Sequence, residues 1–219
     1  MFVPELYQVR DETWLRDVMR DHPLATLNTN GADVPYSTHL PALLAPAIPD
    51  DAPLVGSEVI GHLNRANPHW RSLSDGMRAL LVFQGPGAYV TPATYGLDPA
   101  APTWDFVSIH LHGRLRLVQD REETFEVILA TVKQLESTQG EEWDPTSSLE
   151  YFRRILPGVG AFRLEIEGVD AMFKLSQEMP AEMRELVIRH FEDREGNRRK
   201  LGRLMREHGP CAVSQEAGA

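Results

Sequence analysis

Between Leu24 and Val118 strand-like segments follow one another with no helical stripe between them: LATLN, VPYSTHLPALL, SEVIGHLNR, ALLVFQG, AYVTP and DFVSIHLHGRLRLV. Proline- and glycine-containing breaks at 46–56, 85–87 and 92–102 separate the later ones. Strands in succession without crossover helices argue for a meander or barrel rather than repeated strand-helix-strand units. The first two are expected to form a hairpin through TNGAD, with Asn30-Gly31 supplying the positive backbone angles of a tight turn.

Helical patterns lie on either side of this β-rich middle. Asp11 is placed to cap an opening helix carrying Trp14, Leu15, Val18 and Met19 at helical spacing, and Pro23 ends it. Residues 121–137 carry a stripe of Phe125, Ile128, Leu129, Val132 and Leu135 expected to face a core. A short helix is expected at 147–155, a half-exposed strand over AFRLEIEGV, and helices at 180–193 and 197–208. The economical organisation is one mainly β domain over 1–208, decorated by helices, with a mobile tail at 209–219.

Charge and composition narrow the function. A formal net charge of -10 opposes attraction to the phosphates of nucleic acid, and the basic run Arg198-Arg199-Lys200 with Arg203 and Arg206 reads as a solvated helix face. Nowhere do about eighteen apolar residues run uninterrupted, and the opening MFVPELYQVRDETW lacks a basic region followed by an apolar run, so a cytoplasmic protein is expected, with no membrane partner. The single cysteine, Cys211, excludes an intrachain disulfide framework, and no G-x-S-x-G elbow, P-loop or GxGxxG fingerprint is present.

Four segments instead place nitrogen-rich side chains in strands that look buried: YSTHLP, GHLNRANPHW, PTWDFVSIHLHG and FKLSQ. His110 and His112 share a face, because side chains repeat every second residue along a strand. Two histidines fall short of the three or four ligands that a zinc site needs, so no metal is expected. Arg65 offers a fixed fork of donors suited to phosphate, with Ser37 and Thr38 to complete a cradle. Trp70, Tyr89, Tyr95 and Trp104 can wall a flat ring, although ordinary core packing is the commoner use of such residues.

Taken in order, YSTHLP, GHLNRANPHW, FQGPGAYVTPATY, PTWDFVSIHLHG and FKLSQ resemble the PaiB family of FMN-binding proteins, whose members are labelled negative transcriptional regulators. The likeness runs from MFVPELY to about residue 180. It implies a homodimeric split β-barrel of the pyridoxamine-phosphate-oxidase-like type, with FMN in clefts between subunits. It also implies that His62, Arg65, Asn67 and Trp70 line the cofactor site, with Arg65 on the phosphate, and that Ser37, Thr38, His39, Trp104, His110, Lys174 and Gln177 contribute. Lys174 near the pyrimidine edge would favour the reduced anionic flavin.

This chain departs from the family pattern in having Asp105 where Asn follows PTW, Glu178 where Asn follows FKLSQ, and an altered GVDAM before FKLSQ. The two carboxylates are therefore candidate proton donors or acceptors, and Asp105, Glu178 and His110 are the candidate catalytic residues. The expected activity is that of an FMN-dependent oxidoreductase on a small organic substrate. An FMN-responsive transcriptional regulator and a haem protein using His39, His62, His110 or His112 as axial ligand are the alternatives.

Overall fold

The computed structural model describes residues 1–139 and 143–208, so Cys211 and the tail expectation lie outside the described residues. Helix α1 (Glu12–Asp21) is capped as its sequence predicts, the Asp11 side chain accepting from the Thr13 amide at 2.9 Å. Leu15, Val18 and Met19 are its buried face. Each contributes about 1.5–3 kcal/mol by leaving water.

Six strands form a closed antiparallel barrel: β1 (Leu24–Thr29), β2 (Tyr36–Leu44), β3 (Glu58–Asn64), β4 (Arg78–Val90), β5 (Thr103–Val118) and β6 (Val159–Lys174), in the order β1-β2-β3-β6-β5-β4. Between β3 and β4 lies the short helix α2 (Pro68–Ser72). The β5–β6 connection carries α3 (Arg121–Gln139) and α4 (Leu149–Ile155); α5 (Ala181–Glu192) and α6 (Asn197–Glu207) follow the barrel. This is the mainly β fold with flanking helices that the strand succession predicts.

Contacts divide the described chain into two compact units. The first comprises Met1, Arg10–Gln84 and Ile109–Asp170; the second comprises Phe2–Val9, Gly85–Ser108 and the chain from Ala171.

Several local expectations need correction. The β1–β2 hairpin pairs Thr29 with Tyr36, which leaves a loop of residues 30–35 rather than a tight turn, and neither Asn30 nor Gly31 takes a positive φ. Gly31 is required by proximity instead, since a Cβ there would lie 2.0 Å from the Val34 carbonyl oxygen. The expected break at 85–87 lies inside β4, where the in–out alternation slips at consecutive buried Gly85 and Pro86. Proline lacks the ladder donor, so a slip of register is where a strand can hold one.

On α3 the buried residues are Thr124, Phe125, Val127 and Thr131, while Ile128, Leu129, Val132 and Leu135 are only half-buried. The Thr131 hydroxyl donates to the Val127 carbonyl, which lets a polar residue occupy the inner face. Within GHLNRANPHW only GHLN is strand; Asn67 caps α2 by accepting from the His69 amide at 2.9 Å, and Pro68 opens that helix where a missing amide costs nothing.

Candidate functional site

In the first unit, the end of β2, the turn after β3 and helix α2 bring a polar network together. The buried His69 ring is hydrogen-bonded on both nitrogens, Nε2 with the Thr29 hydroxyl at 2.9 Å and Nδ1 with the Thr38 hydroxyl at 2.8 Å. Asn67 Nδ2 donates to the same Thr38 oxygen at 3.3 Å, and Tyr36 stacks on the imidazole at 5.2 Å between ring centres. Burial lowers the His69 pKa, so the ring is neutral and its position is fixed by hydroxyls rather than charge. Ser37 and His39 flank Thr38 in the strand and are exposed, as alternation requires.

Arg65 is anchored but not exhausted. Its Nε donates to the Val159 carbonyl at 2.8 Å and its guanidinium lies 5.4 Å from the Trp70 ring centre, while both terminal amino groups make no hydrogen bond among the described residues. The Trp70 ring in turn lies on Gly160, where a Cβ would come within 2.5 Å of ring atoms. Nearby in sequence, His62 has its Nδ1 out of water with no hydrogen-bond partner, and burial lowers its pKa. An uncommitted cation and an orphaned buried ring nitrogen on one short segment are unusual unless a ligand completes them.

The second unit holds a charged cluster at the end of β6. Asp105 is fully buried; its Oδ2 accepts from the Ser176 hydroxyl at 2.5 Å, while Oδ1 has no hydrogen-bond donor and lies 3.8 Å from Lys174 Nζ. On its other side Lys174 Nζ lies 3.6 Å from Glu178, and it donates to the Thr103 hydroxyl and to the Trp104 carbonyl at 3.4 Å. Burial pushes the Asp105 carboxyl up to about 6 against the opposing pull of Ser176 and Lys174. Tyr7 is pushed up to about 12, first by burial and then by the Glu178 and Asp105 carboxylates, so it keeps its proton.

Ser176 reaches Asp105 because it adopts φ 58, a left-handed conformation that a non-glycine residue holds only at a cost of about 1–3 kcal/mol. Gln177 braces the same turn: its Oε1 accepts from the Leu175 amide at 2.6 Å. Arg184 is 6% exposed and donates Nε to the Leu175 carbonyl at 3.1 Å and Nη2 to the Met205 carbonyl at 2.5 Å. Trp104 is exposed beside Tyr89, 6.3 Å between ring centres, so neither is core.

Asp105 and Glu178, two of the departures from the family pattern, thus flank one ammonium group. His110 belongs to the first unit, half-buried, with its pKa lowered by burial first and by the Met1 ammonium next. His69, Thr29, Tyr7, Ser176 and Arg184 escaped the sequence reading. His69 and Ser176 lie within the quoted GHLNRANPHW and FKLSQ, and His69 is the one polar residue of its motif that is fully buried; Thr29, Tyr7 and Arg184 carry no comparable signal. Among the described residues no group of three or more His, Cys, Asp or Glu is placed to hold a metal ion, and no helix is long and apolar enough to cross a membrane.

Comparison with known proteins shows the family to which the chain belongs. Residues 1–168 match the family model described as "Putative FMN-binding domain". The chain is 25% identical over 210 residues to the Protease synthase and sporulation protein PAI 2 of Bacillus subtilis, covering 94% of this chain and 97% of that protein. It is 27% identical to an uncharacterized protein of Emericella nidulans, covering 89% and 92%. Among solved structures, a FAD and heme binding protein of Mycobacterium smegmatis superposes with a TM-score of 0.57 at 15% identity, covering 81% of this chain and 78% of that one, a likeness of the split-barrel fold. The chain belongs to the PaiB family of FMN-binding split-barrel domains, and FMN is its cofactor.

Proposed function

We propose that the chain is an FMN-dependent oxidoreductase acting on a small organic substrate, working in the cytoplasm as a homodimer. The observation that carries the cofactor assignment is Arg65: pinned through Nε to Val159 and covered by Trp70, it keeps both terminal amino groups for a ligand. A guanidinium held by one edge presents the other as a planar fork, and that fork matches a phosphate. His62 fits the same group, because its orphaned Nδ1 needs a polar partner that the protein does not supply. Thr38 and Asn67 are held ready by His69, while Ser37 and His39, exposed on the strand's other face, are free to meet a second subunit or the cofactor.

FMN, when bound, supplies an isoalloxazine ring that accepts and returns one or two electrons. The chain's own contribution is to hold the phosphate at Arg65 and to keep protons available at the second cluster. Lys174 has its charge offset by Asp105 and Glu178, so it serves this cluster as a link between two carboxylates more than as a free cation for a reduced flavin. Asp105 is fully buried and acts through Lys174; Glu178 is exposed, so of the two it is the one able to exchange a proton with solvent or a ligand.

Fluorescence titration of the apoprotein with FMN tests this reading. Saturable quenching with one FMN per chain is expected, weakened at least tenfold by Arg65→Ala. Equal uptake by the variant would remove Arg65 from the phosphate site.

A further inference from the structure

A cleft of about 390 Å3 opens within the first unit and is lined by Asn28, Thr29, Asn30, Arg78, Leu80 and His112 among others. Its volume is in the range of small-molecule sites, which run from about 300 to about 1,000 Å3. Most of these residues carry hydrogen-bonding side chains. It shares Thr29 with the His69 network. None of Asn28, Asn30, Arg78 or His112 has a part in the cofactor site described above.

The chemistry of this lining is specific. Arg78 is largely exposed, and its one ion pair among the described residues is a long 3.4 Å contact to Glu167, whose nearer partner is Arg114 Nε at 2.7 Å. Its guanidinium is therefore available. His112 is oriented by Asp170, with Nε2 2.7 Å from Oδ2. The Met1 ammonium donates to the same oxygen at 2.5 Å, and these two donors hold the Asp170 carboxyl below its ordinary range. An ionised carboxylate only accepts, so His112 must carry its proton on Nε2. The other nitrogen, Nδ1, makes no hydrogen bond among the described residues and in the neutral ring is an acceptor.

A cleft that offers one uncommitted guanidinium and one oriented acceptor selects a ligand with a carboxylate and an adjacent hydroxyl. We propose that this cleft binds a small 2-hydroxycarboxylate, its carboxylate on Arg78 and its hydroxyl donating to His112 Nδ1, as the substrate of the flavoenzyme proposed above. A guanidinium fork pairs with a carboxylate through two parallel hydrogen bonds, and the acceptor at His112 adds the demand for a hydroxyl beside it. Asn28 adds to the polarity: its side-chain amide donates to the Thr26 carbonyl at 3.1 Å, which leaves its oxygen unused among the described residues.

The test is a titration of full-length, histidine-labelled protein with lactate, followed by NMR of the His112 ring, once without FMN and once with it. Lactate is expected to move the His112 signals saturably, with propionate, which lacks the hydroxyl, binding at least several-fold more weakly. Arg78→Gln, at an exposed position, is expected to weaken lactate at least tenfold while taking up FMN like the unaltered protein. An unmoved His112, an unaffected Arg78→Gln, or propionate and inorganic phosphate acting as well as lactate would overturn the proposal. Failure to take up FMN with the lactate response intact would instead sink the flavoenzyme reading and leave the cleft standing.

Discussion

Replacing Asp105 with Asn changes how stability depends on pH, and the size of the change follows from the site. Asp105 is fully buried, with one oxygen lacking a donor, and its carboxyl titrates near 6 in the folded chain against 3.8 as the ordinary value. A carboxyl raised on folding makes the native state bind more protons than the unfolded one across that window. Its contribution is therefore fully present below 3.8 and falls away as pH rises through 6. At about 1.36 kcal/mol per unit the whole loss is about 3 kcal/mol, of which roughly half falls between pH 5 and pH 8.

Asn keeps the shape and can still accept from Ser176, but it does not titrate. Urea unfolding of both proteins at pH 5 and pH 8 isolates the effect, because other groups cancel in the difference. The stability of Asp105→Asn relative to the unaltered protein should rise by on the order of 1.5 kcal/mol from pH 5 to pH 8. A difference that stays flat, or falls, would refute the account of a carboxyl buried without adequate partners.

Three further perturbations read other parts of the molecule. Glu123 accepts from Arg116 and Arg163 and is held down to about 2, so Glu123→Gln should cost on the order of 1 kcal/mol at neutral pH, an effect that disappears as pH falls through that value in acid unfolding. Tyr7→Phe should delete the step near pH 12 from an ultraviolet absorbance titration, because burial and the neighbouring carboxylates push that phenol up to about 12. Gly160→Ala should push Trp70 off its seat, seen as a changed tryptophan emission and a several-fold loss of FMN affinity, since the added methyl would lie within 2.5 Å of the ring.

How much of this was legible in the sequence depends on the range of the forces involved. Helix α1 and its Asp11 cap, the strand run and the closing helices were readable because they rest on local periodicity and capping. The TNGAD turn misled because Gly31 answers to the Val34 carbonyl, a tertiary proximity that a dipeptide signature does not report. The stripe on α3 was misplaced because buried threonines bonding to their own helix replaced larger apolar residues on the inner face. Arg65 and Asn67 stood out because their motif is contiguous. Asp105 and Glu178 stood out singly as departures, yet only folding reveals that they share Lys174 with Tyr7, residues scattered from one end of the chain to the other. The Asp170–His112 pair was invisible for the same reason.

In the proposed function FMN is held on a site organised by Arg65 and Trp70. The most direct measurement is the absorbance spectrum of the purified protein with mass identification of whatever small molecule denaturation releases. Two broad flavin bands and FMN at one molecule per chain are the predicted result. A colourless protein that also takes up no added FMN, or a sharp intense haem band in place of the flavin bands, would contradict it.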